Sequence, residues 1–216
     1  MRKKVGKACI SFALFILMIA LVTCIDLAPI GPANTVVGLS HLNKAVHDLI
    51  GVHMIWYKIT NYLGYLAILC GLVFAVLGLK QLIERKSLKQ VDKPILALGC
   101  LLAALGVVYV LFEKFVVNCR PVLMEGETVP EASFPSSHTV LAMVIFGAVA
   151  MLVKDYVKDK HTAGLLQNIC LVLMIVSVIG RLISGVHWFT DILGGVLLSY
   201  ALLQLFSGVL EKLRAK

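Results

Sequence analysis

Six stretches of this chain contain no Asp, Glu, Lys or Arg: residues 8–25, 59–79, 94–112, 132–153, 162–180 and 192–210. Each is 18 to 22 residues long, and at about 1.5 Å per residue a helix of that length crosses a hydrocarbon layer of about 30 Å. The pattern predicts an all-α protein with six membrane-spanning helices, organised as one integral membrane domain over 1–216. Between the first two spans, Pro29, Gly31 and Pro32 break the chain. Leu39, Leu42, Val46, Leu49, Ile50 and His53 then recur at three- and four-residue spacing, with Ser40 placed to cap a short helix. That spacing suits a helix lying in the interface, where it could also roof a cavity, and Trp56 and Tyr57 fall where aromatic anchors belong. His41, His47 and His53 are six apart, so they fall on different faces, which fits interface exposure better than a metal or proton site.

Composition supports the membrane assignment: 60% of residues are hydrophobic and 15% charged, against roughly half and a quarter in soluble domains. The distribution of charge predicts orientation. With a cytoplasmic N-terminus, segments 1–7, 80–93, 154–161 and 211–216 hold 15 of the 20 Lys and Arg, which puts both termini in the cytoplasm. The net charge of +8 is then mostly a cytoplasmic rim facing anionic lipid, not a nucleic-acid surface. The first apolar run has no small-x-small ending before Asp26 and reads as a retained helix, not a cleaved signal. Five of the six cysteines lie in or beside spans as apolar filler, while Cys119 is alone in an outer loop.

This topology collects chemistry on one face. Arg120, His138, Arg181, His187 and Asp191 come from three separate stretches, yet all emerge on the outer side. His187 and Asp191 are four apart. The carboxylate can therefore take the proton of one imidazole nitrogen and leave the other with a free lone pair, as a nucleophile or a base. At the start of the sixth span, Asp191 also suits a helix N-terminus. In FPSSH, Pro135 stiffens the entry to the fourth span, and Ser136 or Ser137 can cap it beside the imidazole of His138. Arg120 and Arg181 offer planar forks to phosphate oxygens. Together these groups meet the needs of phosphomonoester cleavage without a metal or other cofactor: one histidine attacks phosphorus and the other protonates the leaving oxygen. Two arginines aimed at one spot disfavour a zinc site there, and HExxH and CxxC are absent.

PSSH at 135–138 and RLISGVHWFTD at 181–191, with RP at 120–121 upstream, resemble the three signature segments of the type 2 phosphatidic acid phosphatase superfamily, which includes membrane lipid phosphatases and soluble vanadium haloperoxidases. The resemblance covers about 113–195, the expected active-site region. It implies that His187 is the nucleophile held by Asp191, that His138 is the acid, and that Ser136, Arg120 and Arg181 contact phosphate, with Ser137 beside them. There are departures. The family's lysine stands seven residues before its arginine, where this chain has Glu113; Lys114 is one residue too close. On an unbroken helix Glu113 would face the site, repelling phosphate or pairing with Arg120, whereas an early helix end would let Lys114 reach in. Gly180 replaces the serine usual before the last segment's arginine, and Ser137 replaces the commoner glycine.

The expected substrate is a membrane lipid phosphate or diphosphate in a bacterial plasma membrane, with phosphatidylglycerol phosphate, phosphatidate and undecaprenyl diphosphate all fitting. It would be cleaved on the extracytoplasmic side through a phosphohistidine. A phosphotransferase with the same intermediate is the nearest alternative. An anionic-lipid transporter, the other, would use polar residues within spans, where Thr60, Asn61, Ser177 and Gln204 stand.

Overall fold

Four of the charge-free runs lie wholly within one long helix of the computed structural model, which describes residues 1–124 and 126–215; run 8–25 passes the end of its helix by one residue, and run 132–153 begins five residues before its helix does. Glu125 of the acidic loop and Lys216 lie outside the described residues. The helices are α1 (Arg2–Cys24), a short α2 (Ser40–Ile50), α3 (Met54–Arg85), α4 (Lys93–Lys114), α5 (Ser137–Tyr156), α6 (Lys160–Ile183) and α7 (Phe189–Arg214). All except α2 are long and apolar enough to cross a membrane, and the chain is a multi-pass membrane protein. Among the described residues there is no strand, only two isolated bridges, Ala28–Val37 and Cys119–Ala132.

Burial separates the inner helices from the outer ones. Two thirds (67%) of the apolar window of α5 is buried and half (50%) of that of α7, against 22% for α1, α3, α4 and α6. The α5 helix is therefore the axis of the bundle, contacting α3, α4, α6 and α7, while α1 packs along α7. Its core face carries Val144, Phe146, Ala148 and Leu152, packed in the same cluster as Leu198 and Phe206 of α7. Residues such as Ile10, Phe12, Leu69, Val76, Val107 and Val172 are more than half exposed on the outer helices. So much contiguous apolar surface is compatible with lipid and not with water.

Three differences from the sequence reading matter for the site. First, the apolar repeat of 39–53 is not one helix: α2 stops at Gly51 (φ 73°), and Trp56 and Tyr57 belong to the first turn of α3. Second, Ser40 is the first residue of α2, and its hydroxyl donates to Asp26 Oδ1 (2.9 Å) in place of capping the helix. Third, α4 ends at Lys114, so its helical phase does not reach Arg120. A loop follows to Pro135, pinned by Phe134, whose ring stacks on Phe15 (5.9 Å) and meets Phe112 edge-on (6.2 Å). Its other side lies against Gly194, where a Cβ would sit 2.6 Å from the ring.

Candidate active site

The loop between α6 and α7, residues 184–188, is buried throughout. It turns at Gly185 (φ 67°), where a Cβ would come 2.1 Å from the carbonyl oxygen of Gly51, so both conformation and space demand glycine. His187 follows, 3% exposed, its Nδ1 3.6 Å from Asp191 Oδ2. That same carboxylate oxygen accepts the Trp188 N–H (2.9 Å), so Asp191 caps its own helix while facing the imidazole. Burial, then the cations Arg181 and Arg120, hold His187 well below the ordinary histidine value and keep it neutral.

The second histidine enters with α5. Ser136 occupies the N-cap position, yet its hydroxyl does not cap the helix; it receives the Thr139 hydroxyl (3.1 Å). The first N–H groups of α5 therefore have no side-chain acceptor, as an anion site requires. The Ser136 N–H donates to the carbonyl of Asp191 (3.0 Å), tying the PSSH segment to α7. Arg181, fully buried, donates through Nη1 to Thr60 Oγ1 (2.9 Å) and Asn61 Oδ1 (3.0 Å), and through Nη2 to His138 Nδ1 (2.9 Å). Its guanidinium lies 4.8 Å from the centre of the Tyr57 ring. Because arginine only donates, Nδ1 of His138 is an acceptor here and Nε2 carries the proton. Gly180 lies behind this arrangement: a Cβ there would be 2.9 Å from both Thr60 Cγ2 and Trp56 Cε3, which leaves no room for serine.

Arg120 comes from the 115–135 loop. The Cys119–Ala132 bridge, with Arg120 N–H donating to the Glu131 carbonyl (3.0 Å), sets Arg120 opposite Glu131. Their side chains form an ion pair at 2.8 Å. Glu131, not Glu113, is the partner of Arg120, because α4 ends too early for Glu113 to share a helix face with Arg120. Glu113 and Lys114 are both exposed. Glu113 borders a cavity of about 500 Å³ that also touches Ser133, Ser137 and His138 and is otherwise walled by apolar side chains of α3, α4 and α5, including Leu102, Leu105, Phe112 and Leu141; Lys114 is not in its lining.

The structure thus brings Arg120, His138, Arg181, His187 and Asp191 to one end of the bundle, with Ser136 beneath and Ser137 at the cavity wall. It also adds residues that motif reading missed. Asn118 and Ser133, both 2% exposed, lie against the Asp191 carboxylate without forming aligned hydrogen bonds. Thr60 and Asn61, which the sequence marks as polar span positions suited to a transporter, instead hold Arg181. Among the described residues, no three His, Cys, Asp or Glu side chains converge as a metal-binding group.

Comparisons with known proteins agree with this arrangement. A family model described as PAP2 superfamily matches residues 94–215. Among solved structures, a transmembrane PAP2-type phosphatidylglycerolphosphate phosphatase from Bacillus subtilis superposes with a TM-score of 0.65 at 21% identity, covering 95% of this chain and 96% of that one. No curated protein sequence matches.

Proposed function

Because this chain belongs to the PAP2 superfamily, we propose that it is a membrane lipid phosphatase working through a phosphohistidine, without a metal. One observation carries the reading: His138, which accepts from Arg181, stands in the wall of a largely apolar cavity of about 500 Å³, and a second, buried imidazole, His187, lies 3.6 Å from Asp191 at the same end of the bundle. The cavity suits an acyl or prenyl chain that stays at bilayer depth, since moving a chain into water costs about 0.8 kcal/mol per CH₂. A soluble phosphate ester has no use for such a wall.

In this mechanism His187 attacks phosphorus through Nε2, with Nδ1 directed at Asp191. A P–N bond forms as the ester P–O bond breaks, while Arg120 and Arg181 spread the charge of the equatorial oxygens. His138 gives its proton to the leaving lipid hydroxyl. In the present arrangement it cannot do so, because Nδ1 accepts from Arg181 and loss of the Nε2 proton would leave an imidazolate. Incoming phosphate resolves this: by engaging Arg181 it frees Nδ1 to be protonated, and its negative charge favours the imidazolium. Water then attacks the phosphohistidine, giving its proton back to His138; the P–N bond breaks and inorganic phosphate leaves. Arg120 must likewise shift from Glu131 toward the substrate.

The surplus of Lys and Arg near the opposite end of the bundle, where both termini lie, supports a cytoplasmic placement of the termini and an extracytoplasmic site in a bacterial plasma membrane. The Bacillus subtilis protein is named for phosphatidylglycerolphosphate, so that lipid stands first among the substrates to be offered, followed by phosphatidate and undecaprenyl diphosphate. The test is phosphate release by purified protein in detergent with EDTA present. Wild type should release phosphate and form an acid-labile phosphoenzyme. His187→Ala should abolish both, a loss of at least about 10³-fold in kcat. Dependence of turnover on EDTA-sensitive metal, or a phosphoenzyme persisting in His187→Ala, would overturn the mechanism; a requirement for a second lipid hydroxyl would make it a transferase.

A further inference from the structure

The helix that carries Asp191 starts badly by its own sequence. Its N-cap position is Trp188, whose side chain has no oxygen to accept a first-turn N–H. The missing acceptor comes from a distant part of the chain. Asn43, in the first turn of α2 and fully buried, accepts the Thr190 N–H on Oδ1 (3.1 Å). Its Nδ2 donates to Thr190 Oγ1 (3.0 Å) and to the Gly38 carbonyl (2.8 Å). Turning the amide over would set its NH₂ against the Thr190 N–H, so the network leaves one orientation.

The α2 helix is itself held in the same manner. Asp26, just beyond α1, accepts the His41 N–H on Oδ2 (2.8 Å) and the Ser40 hydroxyl on Oδ1 (2.9 Å), supplying the first turn of α2 with the cap that Leu39 cannot. From its other end, His47 meets the Gly185 carbonyl through Nε2 (3.1 Å), and its ring lies 5.4 Å from that of Trp188. The short helix therefore grips the 184–190 segment from both sides of His187. Its polar face is spent on that segment, while Leu42 and Leu49 point outward.

We propose that Asn43 is a positioning residue for the His187–Asp191 pair: by capping α7 from another helix it fixes the first turn on which Asp191 sits, and through it the imidazole that attacks phosphorus. This rests on the phosphohistidine reading above. The contact concerns only the reacting geometry, since Asn43 lies behind the loop and does not line the cavity where the lipid would bind. Its loss should therefore appear in kcat and spare KM; displacements near 1 Å at such a pair cost up to about 10²-fold.

The experiment uses the full chain in detergent with phosphatidate as probe, comparing wild type, His187→Ala, Asn43→Ala, Asn43→Ser and Asn43→Asp. Each is read by steady-state kinetics, by the single-turnover rate of phosphoenzyme formation and by thermal melting. Asn43→Ala should lower kcat and the phosphoenzyme rate together by about 10- to 30-fold, with KM within twofold. Asn43→Asp keeps an oxygen for the Thr190 N–H but sets its second oxygen against the Gly38 carbonyl, so it should recover only part of that loss. Should the alanine variant not fold, Asn43→Ser, too short to reach Thr190, replaces it with the same expectation. Wild-type kcat in the alanine or serine variant, with only a lowered melting temperature, makes Asn43 a merely structural cap and overturns the proposal. So does a loss confined to KM. Activity persisting in His187→Ala would instead strike at the phosphohistidine reading, so the two failures are distinguishable.

Discussion

The two ends of this bundle both gather polar side chains, and they treat them in opposite ways. At the end holding the termini, Gln81 Nε2 donates to Asp92 Oδ2 (2.7 Å) and its Oε1 accepts the Asp92 N–H (2.9 Å), Arg85 pairs with Asp92 (2.9 Å), Arg214 with Asp155 (2.7 Å), and the N-terminal amine with Glu211 (3.1 Å). These charges are matched locally and partly wet. At the other end, Arg181, His187 and Asp191 are buried, and several of their atoms, with those of Asn118, Ser133 and Arg120 Nη1, have no hydrogen-bond partner among the described residues. Buried polar atoms are normally satisfied, and each exception costs roughly 1–3 kcal/mol. One end pairs its charges among the protein's own side chains; the other leaves guanidinium donors of Arg120 and Arg181 beside two imidazoles, the groups on which the proposed lipid-phosphate chemistry draws.

Arg181 is where this contrast breaks most visibly. Arg181→Lys retains a cation but loses the fork that reaches Thr60, Asn61 and His138 at once. We expect kcat/KM for a lipid phosphate to fall by about 10²–10³-fold, measured with folded fraction controlled by melting temperature. If lysine kept activity within threefold, a point charge would suffice and the buried network would be scaffolding, no different in kind from the far end.

His187 gives an effect of intermediate size, visible without substrate. Its folded-state value lies well below 6.5, from burial first and then from Arg181 and Arg120. The unfolded chain therefore binds a proton below about pH 6.5 that the folded chain refuses. Stability contributed by the neutral imidazole is complete above that pH and declines as pH falls through the unfolded value, with a limiting slope of about 1.4 kcal/mol per pH unit. Melting in detergent from pH 8 to pH 5 should show this decline in wild type and a shallower one in His187→Gln. Parallel curves would mean that the imidazole protonates in place, and that the site is wetter than its 3% exposure implies.

The sequence exposed the spans and the five central side chains because both signals are local or chemically rare. Charge-free runs mark lipid, and arginine beside histidine has few uses there. It could not expose Glu131 as the partner of Arg120, because that pairing depends on a two-residue ladder across a 21-residue loop with no apolar period of its own. Helical phase does not decide between Glu113 and Lys114, because α4 ends at Lys114, before that phase reaches Arg120. Asn43 was hidden for another reason: its partner is 147 residues away, and an asparagine on a surface-patterned helix looks like any solvated residue. Glycine in place of the family's serine at position 180 follows from packing against Trp56 and Thr60, which lie far away in sequence.

The smallest effect belongs to the completed end, and it must be small for the comparison to hold. Arg85 and Asp92 are 40% and 36% exposed, so their ion pair is screened by water. The hydrogen bond from Arg85 is nonetheless the main cause holding Asp92 below its usual value. Arg85→Ala should cost about 0.5–1 kcal/mol, read as a small drop in melting temperature that vanishes at high salt. The Asp92 carboxylate would keep its bond from Gln81, so α3 and α4 stay joined at this end. Activity against a lipid phosphate should stay within twofold of wild type, because no buried group is left unpaired and nothing from this network reaches His187. A tenfold loss of kcat in Arg85→Ala would mean that the two ends are mechanically coupled along α3, through Thr60 and Asn61 to Arg181, and that the division between a finished end and an open one is false.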